Sequence, residues 1–228
     1  MGGDVAERRP TINDVAARAE EHMRARRLVL LIGASLGLAS GVWRTVHRIR
    51  RLPYPFWMAV TPFTDWLYGT KTILGHLDVH PGQHVLEIGP GLGRLLLPVA
   101  ARVAPGGDVT GVEIDHGIAQ ALRERAVAAG ITNITVIDGD AAARQIPIGY
   151  FDVAYLAAVL GEIGNPTAVI HHLHDALKPG GMLFIIEGWP DPHHQSLAAV
   201  KRRLVPAGFA RIGVTRAWGR FTAQFERL

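Results

Sequence analysis

The chain has 228 residues, 48% of them hydrophobic and 19% charged, which is enough apolar material for a buried core and excludes global disorder. It has no cysteine, so disulfide scaffolds, thiolate zinc sites, iron–sulfur clusters and cysteine nucleophiles are all excluded. Charge is unevenly distributed: residues 1–52 hold ten arginines against five acids, whereas residues 53–228 hold 14 basic against 15 acidic residues. The basic excess therefore belongs to an N-terminal arm, and it suggests an anionic partner there.

Within that arm, Leu28 to Trp43 (LVLLIGASLGLASGVW) carries no charge. As a helix it would extend about 24 Å, somewhat short of a ~30 Å hydrocarbon core. Gly33, Gly37 and Gly41 recur every fourth residue, a spacing that lines one helix face with small residues and suits close helix pairing, hence a homodimer. Arginines flank both ends, and their bias places the C-terminal side in the cytoplasm. Three readings stand: a membrane anchor, an interfacial helix, or a helix buried in a soluble, cytoplasmic protein. Nucleic acid is disfavoured, because apolar glycines rather than aromatics separate the arginines. Residues 53–77 crowd six aromatics between Tyr54 and Tyr68, Trp57 among them, broken by Pro53, Pro55 and Pro62. They read as an interfacial belt, a lid over an apolar substrate, or plain packing on the domain that follows.

From residue 78 onward, strand and helix patterns alternate. Strands are expected at 85–88, 108–114, 133–137, 151–156, 181–187, 209–215 and 221–227, with helices at 92–103, 117–129, 167–177 and 197–204. Repeated βα units imply a parallel sheet with helices on both faces, which binds ligands at the carboxyl ends of its strands.

The first strand ends in Glu87-Ile88-Gly89-Pro90-Gly91-Leu92-Gly93-Arg94. Glycines here allow a tight turn and close backbone approach to a ligand. A nicotinamide dinucleotide site would want a glycine where Arg94 stands, and Glu87 would repel a pyrophosphate but can receive an ammonium group. The second strand ends in Glu113-Ile114, where a carboxylate can accept from both hydroxyls of a ribose. The third ends in Gly139-Asp140-Ala141, with Asp140 placed to accept from an exocyclic amine. After the fourth, Leu156, Ala157 and Ala158 are expected to line the floor.

Taken together, residues 76–228 resemble a class I S-adenosylmethionine-dependent methyltransferase, of the quinone-biosynthesis C-methyltransferase type. The resemblance rests on E-x-G-x-G-x-G at Glu87, Gly89, Gly91 and Gly93, the acid Glu113, Gly139-Asp140-Ala141, the Leu177–Gly181 turn (LKPGG) and Ala207-Gly208-Phe209. It implies an α/β, Rossmann-like seven-stranded sheet with the last strand antiparallel, plus an N-terminal helical extension. It also implies S-adenosylmethionine as cofactor, with Glu87 near its amino group, the glycine turn at its methionine portion, Glu113 on the ribose and Asp140 on the adenine amine.

For the acceptor side, Glu162 and the run Glu187-Gly188-Trp189-Pro190-Asp191-Pro192-His193-His194 offer candidates. His193 and His194 could take a proton, or the loop could merely cap the next helix. Trp57, Tyr68, Glu162, Glu187 and Trp189 are the expected substrate contacts. His171, His172 and His174 do not share a helix face and are read as helix surface, with no metal site. The expected function is methyl transfer to a small lipophilic acceptor, such as a quinone precursor, at the membrane. The alternatives are a phospholipid N-methyltransferase and a non-catalytic, membrane-tethered cofactor-binding module.

Overall fold

The computed structural model describes residues 69–143, 146–188, 191, 193–217 and 219–228. The apolar stretch 28–43 with Gly33, Gly37 and Gly41, the aromatics Trp57 and Tyr68, and Trp189 lie outside these residues. Among the described residues no helix is long and apolar enough to cross a membrane.

The elements run α1 (Thr70–His76), β1 (His84–Ile88), α2 (Leu96–Val103), β2 (Asp108–Glu113), α3 (His116–Ala128), β3 (Ile134–Asp138), β4 (Phe151–Ala157), α4 (Pro166–Ala176), β5 (Leu177–Gly188), α5 (Leu197–Leu204), β6 (Phe209–Ala217) and β7 (Arg220–Arg227). Short 3-10 turns follow β3 and α5. The seven strands form one sheet in the order β3-β2-β1-β4-β5-β7-β6. β1 to β5 pair in parallel, and β7 runs antiparallel between β5 and β6. The expected α/β fold, with its antiparallel last strand, is the one observed.

Period-two alternation sends side chains to two cores. Val85, Val109, Val153, Tyr155 and Ile186 meet Ile73, Leu74 and Leu77 of the α1 segment, Val99, Ala100 and Val103 of α2, and Leu122 of α3 on one face. Leu86, Ile88, Ala154, Leu156 and Ile185 meet Val169, Ile170 and Leu173 of α4 and Val200 and Leu204 of α5 on the other. Among the described residues this core begins at Ile73 of α1. Leu156 is a correction: it belongs to the α4–α5 face, while its neighbour Ala157 faces the α1–α3 side.

Helix starts follow the local chemistry. Asp115, Asn165 and Ser196 accept from the backbone N–H groups of Ile118, Ala168 and Ala199, at 3.1, 3.1 and 3.2 Å. The expected Leu92–Val103 helix begins only at Leu96, because the glycine turn occupies the preceding residues. β5 begins earlier than expected: Leu177 already pairs with Phe151, the turn 178–181 forms an irregularity, and pairing resumes at Met182. The histidines of α4 also need correction. His172 is buried, with Nδ1 2.9 Å from the Ala141 carbonyl, and His174 packs edge-on to Phe209; only His171 is exposed.

Candidate functional site

The C-terminal tips of β1 and β4, the turn after β1 and helix α3 surround a cavity of about 280 Å³. Glu87, Gly89, Pro90, Gly91 and Ala157 of the expected cofactor set line it, with Arg94 and Ile118 beside them.

Glu87 is the last-but-one residue of β1 and is 3% exposed. Its cross-strand partner on β4 is Tyr155, whose hydroxyl donates to Oε2 at 2.7 Å. Burial pushes the Glu87 carboxyl up to about 8; the Tyr155 hydrogen bond and the Arg94 guanidinium oppose this, and Glu113 adds to it. A carboxyl whose burial outweighs the nearby Arg94 charge gains by meeting a further cation, which returns it to the ionised form.

The turn after β1 places bare backbone over this carboxyl. Gly91 has φ +54°, and a Cβ built on it would meet nothing within 4 Å, so it leaves space on the ligand side. Gly93 has φ +80°, and its missing Cβ makes room for packing: a side chain there would fall 2.5 Å from Leu122 Cδ1. One glycine thus faces the cavity and the other faces the core.

Glu113, at the end of β2, is buried and fixes the turn. Its Oε2 accepts from the Gly91 N–H and its Oε1 from the Asp115 N–H, both at 3.1 Å. Burial pushes its carboxyl up, and the two N–H groups partly offset this. Each oxygen retains acceptor capacity for a hydroxyl. Ile114 beside it is 72% exposed, an apolar surface at the sheet edge. The Gly139 N–H donates to the Glu113 carbonyl at 2.9 Å, which sets Asp140 and Ala141 at the next strand tip. Asp140 is exposed, with Oδ1 accepting from the Ala142 N–H at 2.9 Å; Ala141 is buried.

The acceptor-side candidates divide. Glu187, at the end of β5, is 1% exposed; Oε2 accepts from the Gln195 N–H at 2.9 Å and Oε1 is buried without a partner. Burial pushes its carboxyl up to about 7. Asp191 accepts from the His193 N–H at 2.8 Å, and the His194 ring meets the Asp191 carbonyl at 2.8 Å. Both histidines are exposed and sit in this turn, and Glu162 is also exposed. Neither histidine lines the cavity around Glu87.

Tyr155 and Arg94 are the contributors that pattern reading missed. Tyr155 sits in an apolar strand and looks like core; its strand pairing with Glu87 is what gives it a role. Arg94 stands out in the sequence only as a missing third glycine. In the structure it lines the cavity and donates to Thr70 Oγ1 at 3.0 Å.

Residues 85–181 match the family model described as a methyltransferase domain. Nocamycin O-methyltransferase of Saccharothrix syringae is 31% identical over 122 residues, covering 54% of this chain and 44% of that protein. A ubiquinone/menaquinone biosynthesis C-methyltransferase of Ectopseudomonas mendocina is 31% identical over 123 residues, covering 54% and 48%. The chain thus spans about half the length of the relatives it matches. A SAM-dependent methyltransferase from Aquifex aeolicus has the same fold, with TM-score 0.70 at 20% identity, covering 78% of this chain and all of that one.

Residues 85–181 thus match a methyltransferase domain, and the fold is the one seen in an S-adenosylmethionine-dependent methyltransferase. The residues at and beside the cavity fit S-adenosylmethionine: a buried carboxyl for an ammonium and an open backbone at Gly91 line it, and the carboxylate bonded to that backbone has acceptor capacity to spare.

Proposed function

We propose that the chain transfers a methyl group from S-adenosylmethionine to a small lipophilic acceptor of the quinone-precursor kind, at a membrane surface. The observation that carries this reading is that Glu87 and the open backbone of Gly91 line one cavity, while the carboxylate of Glu113 holds that backbone through the Gly91 N–H. The bound cofactor supplies a methyl group already activated on a positively charged sulfur. The protein's task is then alignment and exclusion of water. Ionised Glu87 accepts from the ammonium group, the Gly89–Gly93 turn approaches the methionine portion, Glu113 accepts from the ribose, and Ile114 and Asp140 flank the adenine.

Two relatives, named for C-methylation in ubiquinone/menaquinone biosynthesis and for O-methylation of nocamycin, support a small-molecule acceptor. The uncharged stretch 28–43 between arginine clusters supports a lipophilic acceptor and a membrane location. Full-length protein incubated with methyl-labelled S-adenosylmethionine and fractionated lipids of the host should label a lipid fraction, and Glu87→Gln should abolish the labelling. Tight cofactor binding with no label in any fraction would instead favour the non-catalytic module. Removing residues 1–52 should release the protein from membranes in a flotation assay; full-length protein that stays with the soluble fraction would contradict the membrane location.

A further inference from the structure

A second cavity, of about 50 Å³, lies between α1 and the β6–β7 hairpin. It has room for about three to five waters at roughly 10–15 Å³ each, or for one small oxyanion. Thr72 and His76 of α1, Ile186 of β5, Thr215 of β6, and Arg220 and Thr222 of β7 are among its lining residues, and no acid among the described residues lines it.

Its polar lining is rich in hydrogen-bond donors. Arg220 Nη1 and His76 Nδ1 are both buried without a hydrogen-bond partner. A buried carboxyl can escape such a position by taking a proton. A guanidinium cannot lose one, so an unpaired nitrogen on it keeps its full desolvation cost until an acceptor arrives. The fold also makes room for the arginine: a Cβ on Gly188 would fall 2.2 Å from Arg220 Cγ, so the bare tip of β5 is what lets the side chain cross it.

We propose that this cavity is an oxyanion subsite that takes a carboxylate or phosphate group of the methyl acceptor, an assignment that rests on the methyltransferase reading. Two links place it beside the cofactor cavity. Gly69 lies against the Arg220 guanidinium, and the next residue, Thr70, accepts from Arg94 of the cofactor cavity at 3.0 Å. Ile186 lines the oxyanion cavity, and its carbonyl accepts at 2.9 Å from the N–H of Ala158, the neighbour of Ala157 in the cofactor cavity. An acceptor reaching between the two would place an acid group on Arg220 and its reacting atom toward the cofactor.

The test titrates full-length protein with inorganic phosphate and, separately, with acetate, by calorimetry; S-adenosylhomocysteine binding is measured in parallel. Saturable anion binding is expected, weakened about tenfold or more in Arg220→Gln, since a charge-assisted contact is lost. Thr222→Val should weaken it less and serves as the second variant if Arg220→Gln does not fold. S-adenosylhomocysteine affinity should be unchanged in both. Anion binding that is absent from the wild type, or unaltered in both variants, overturns the subsite even where S-adenosylhomocysteine binds. Anion binding without S-adenosylhomocysteine binding overturns the assignment to the acceptor together with the methyltransferase reading. The labelled product of the lipid assay should be retained on an anion exchanger at neutral pH; a product that flows through contradicts the acceptor assignment, whatever the titration shows.

Discussion

At the residue scale the account turns on Glu87. With its carboxyl pushed up to about 8 by burial, it is largely protonated near neutrality in the free protein. A cationic ligand stabilises the ionised form, so binding must release a proton, and affinity for S-adenosylmethionine should rise with pH. The window for this is about pH 6 to 7.5, below the range in which the ligand's own α-amino group titrates. Calorimetry in two buffers of different ionisation enthalpy should show proton release for the wild type and none for Glu87→Gln; a flat pH profile for the wild type would remove the ammonium–Glu87 contact. Tyr155→Phe deletes the hydroxyl that donates to Glu87 and should weaken cofactor binding roughly tenfold or more at pH 7, as a hydrogen bond to a charged acceptor is lost. Unchanged affinity would make Tyr155 a packing residue only. The carboxylates were legible in the sequence because strand ends and glycine turns mark them. Tyr155 was not, because its role comes from its position opposite Glu87 on a strand 68 residues away.

At the scale of elements, the glycine turn separates two duties that look alike in the sequence. Gly93→Ala brings a Cβ within 2.5 Å of Leu122 Cδ1 at a left-handed backbone position. It should destabilise the fold by about 2–5 kcal/mol, the sum of overpacking and backbone strain. Gly91→Ala meets open space, so its stability loss should be limited to about 1–2 kcal/mol of backbone strain, with a larger loss of cofactor affinity because the methyl group faces the cavity. Thermal melts and calorimetry on the two variants check the split, and equal effects on both readouts would merge the two roles. Strand and helix existence followed from periodicity almost throughout. The errors fell where tertiary pairing overrides local pattern: Leu177 joins β5 before its turn because Phe151 is there to pair with it. His172, read as helix surface, is buried because it meets the Ala141 carbonyl, a contact that helical spacing does not reveal.

Across the whole molecule, the two edges of the sheet are built differently. At the N-terminal edge the polar groups are paired: His84 and Tyr150 both bond Asp108, and the His84 N–H and Lys178 Nζ donate to Asp152. Burial works to raise the Asp152 carboxyl, but these donors hold it below its usual range. At the C-terminal edge, Glu87 and Glu187 are pushed up instead. The signs follow by linkage. The Asp152 contribution is present above the ordinary aspartate range and is lost as pH falls. The Glu87 contribution is present below about 4.5 and is lost as pH rises through about 8. Stability of the free protein should therefore peak on the acid side of neutrality and decline toward pH 8, and Glu87→Gln should flatten the decline in a series of thermal melts; a wild type most stable at pH 8 would contradict this. The edge where burial raises two carboxyls, and where Glu187 Oε1 and Arg220 Nη1 are buried without a partner, is the edge that awaits ligands. The most direct measurement of that claim is a crystal structure of the full chain with S-adenosylhomocysteine. The account predicts the ligand's amino group on Glu87, its ribose hydroxyls on Glu113 and its methionine portion against Gly91; a ligand bound elsewhere, or an empty cavity at saturating concentration, would contradict it.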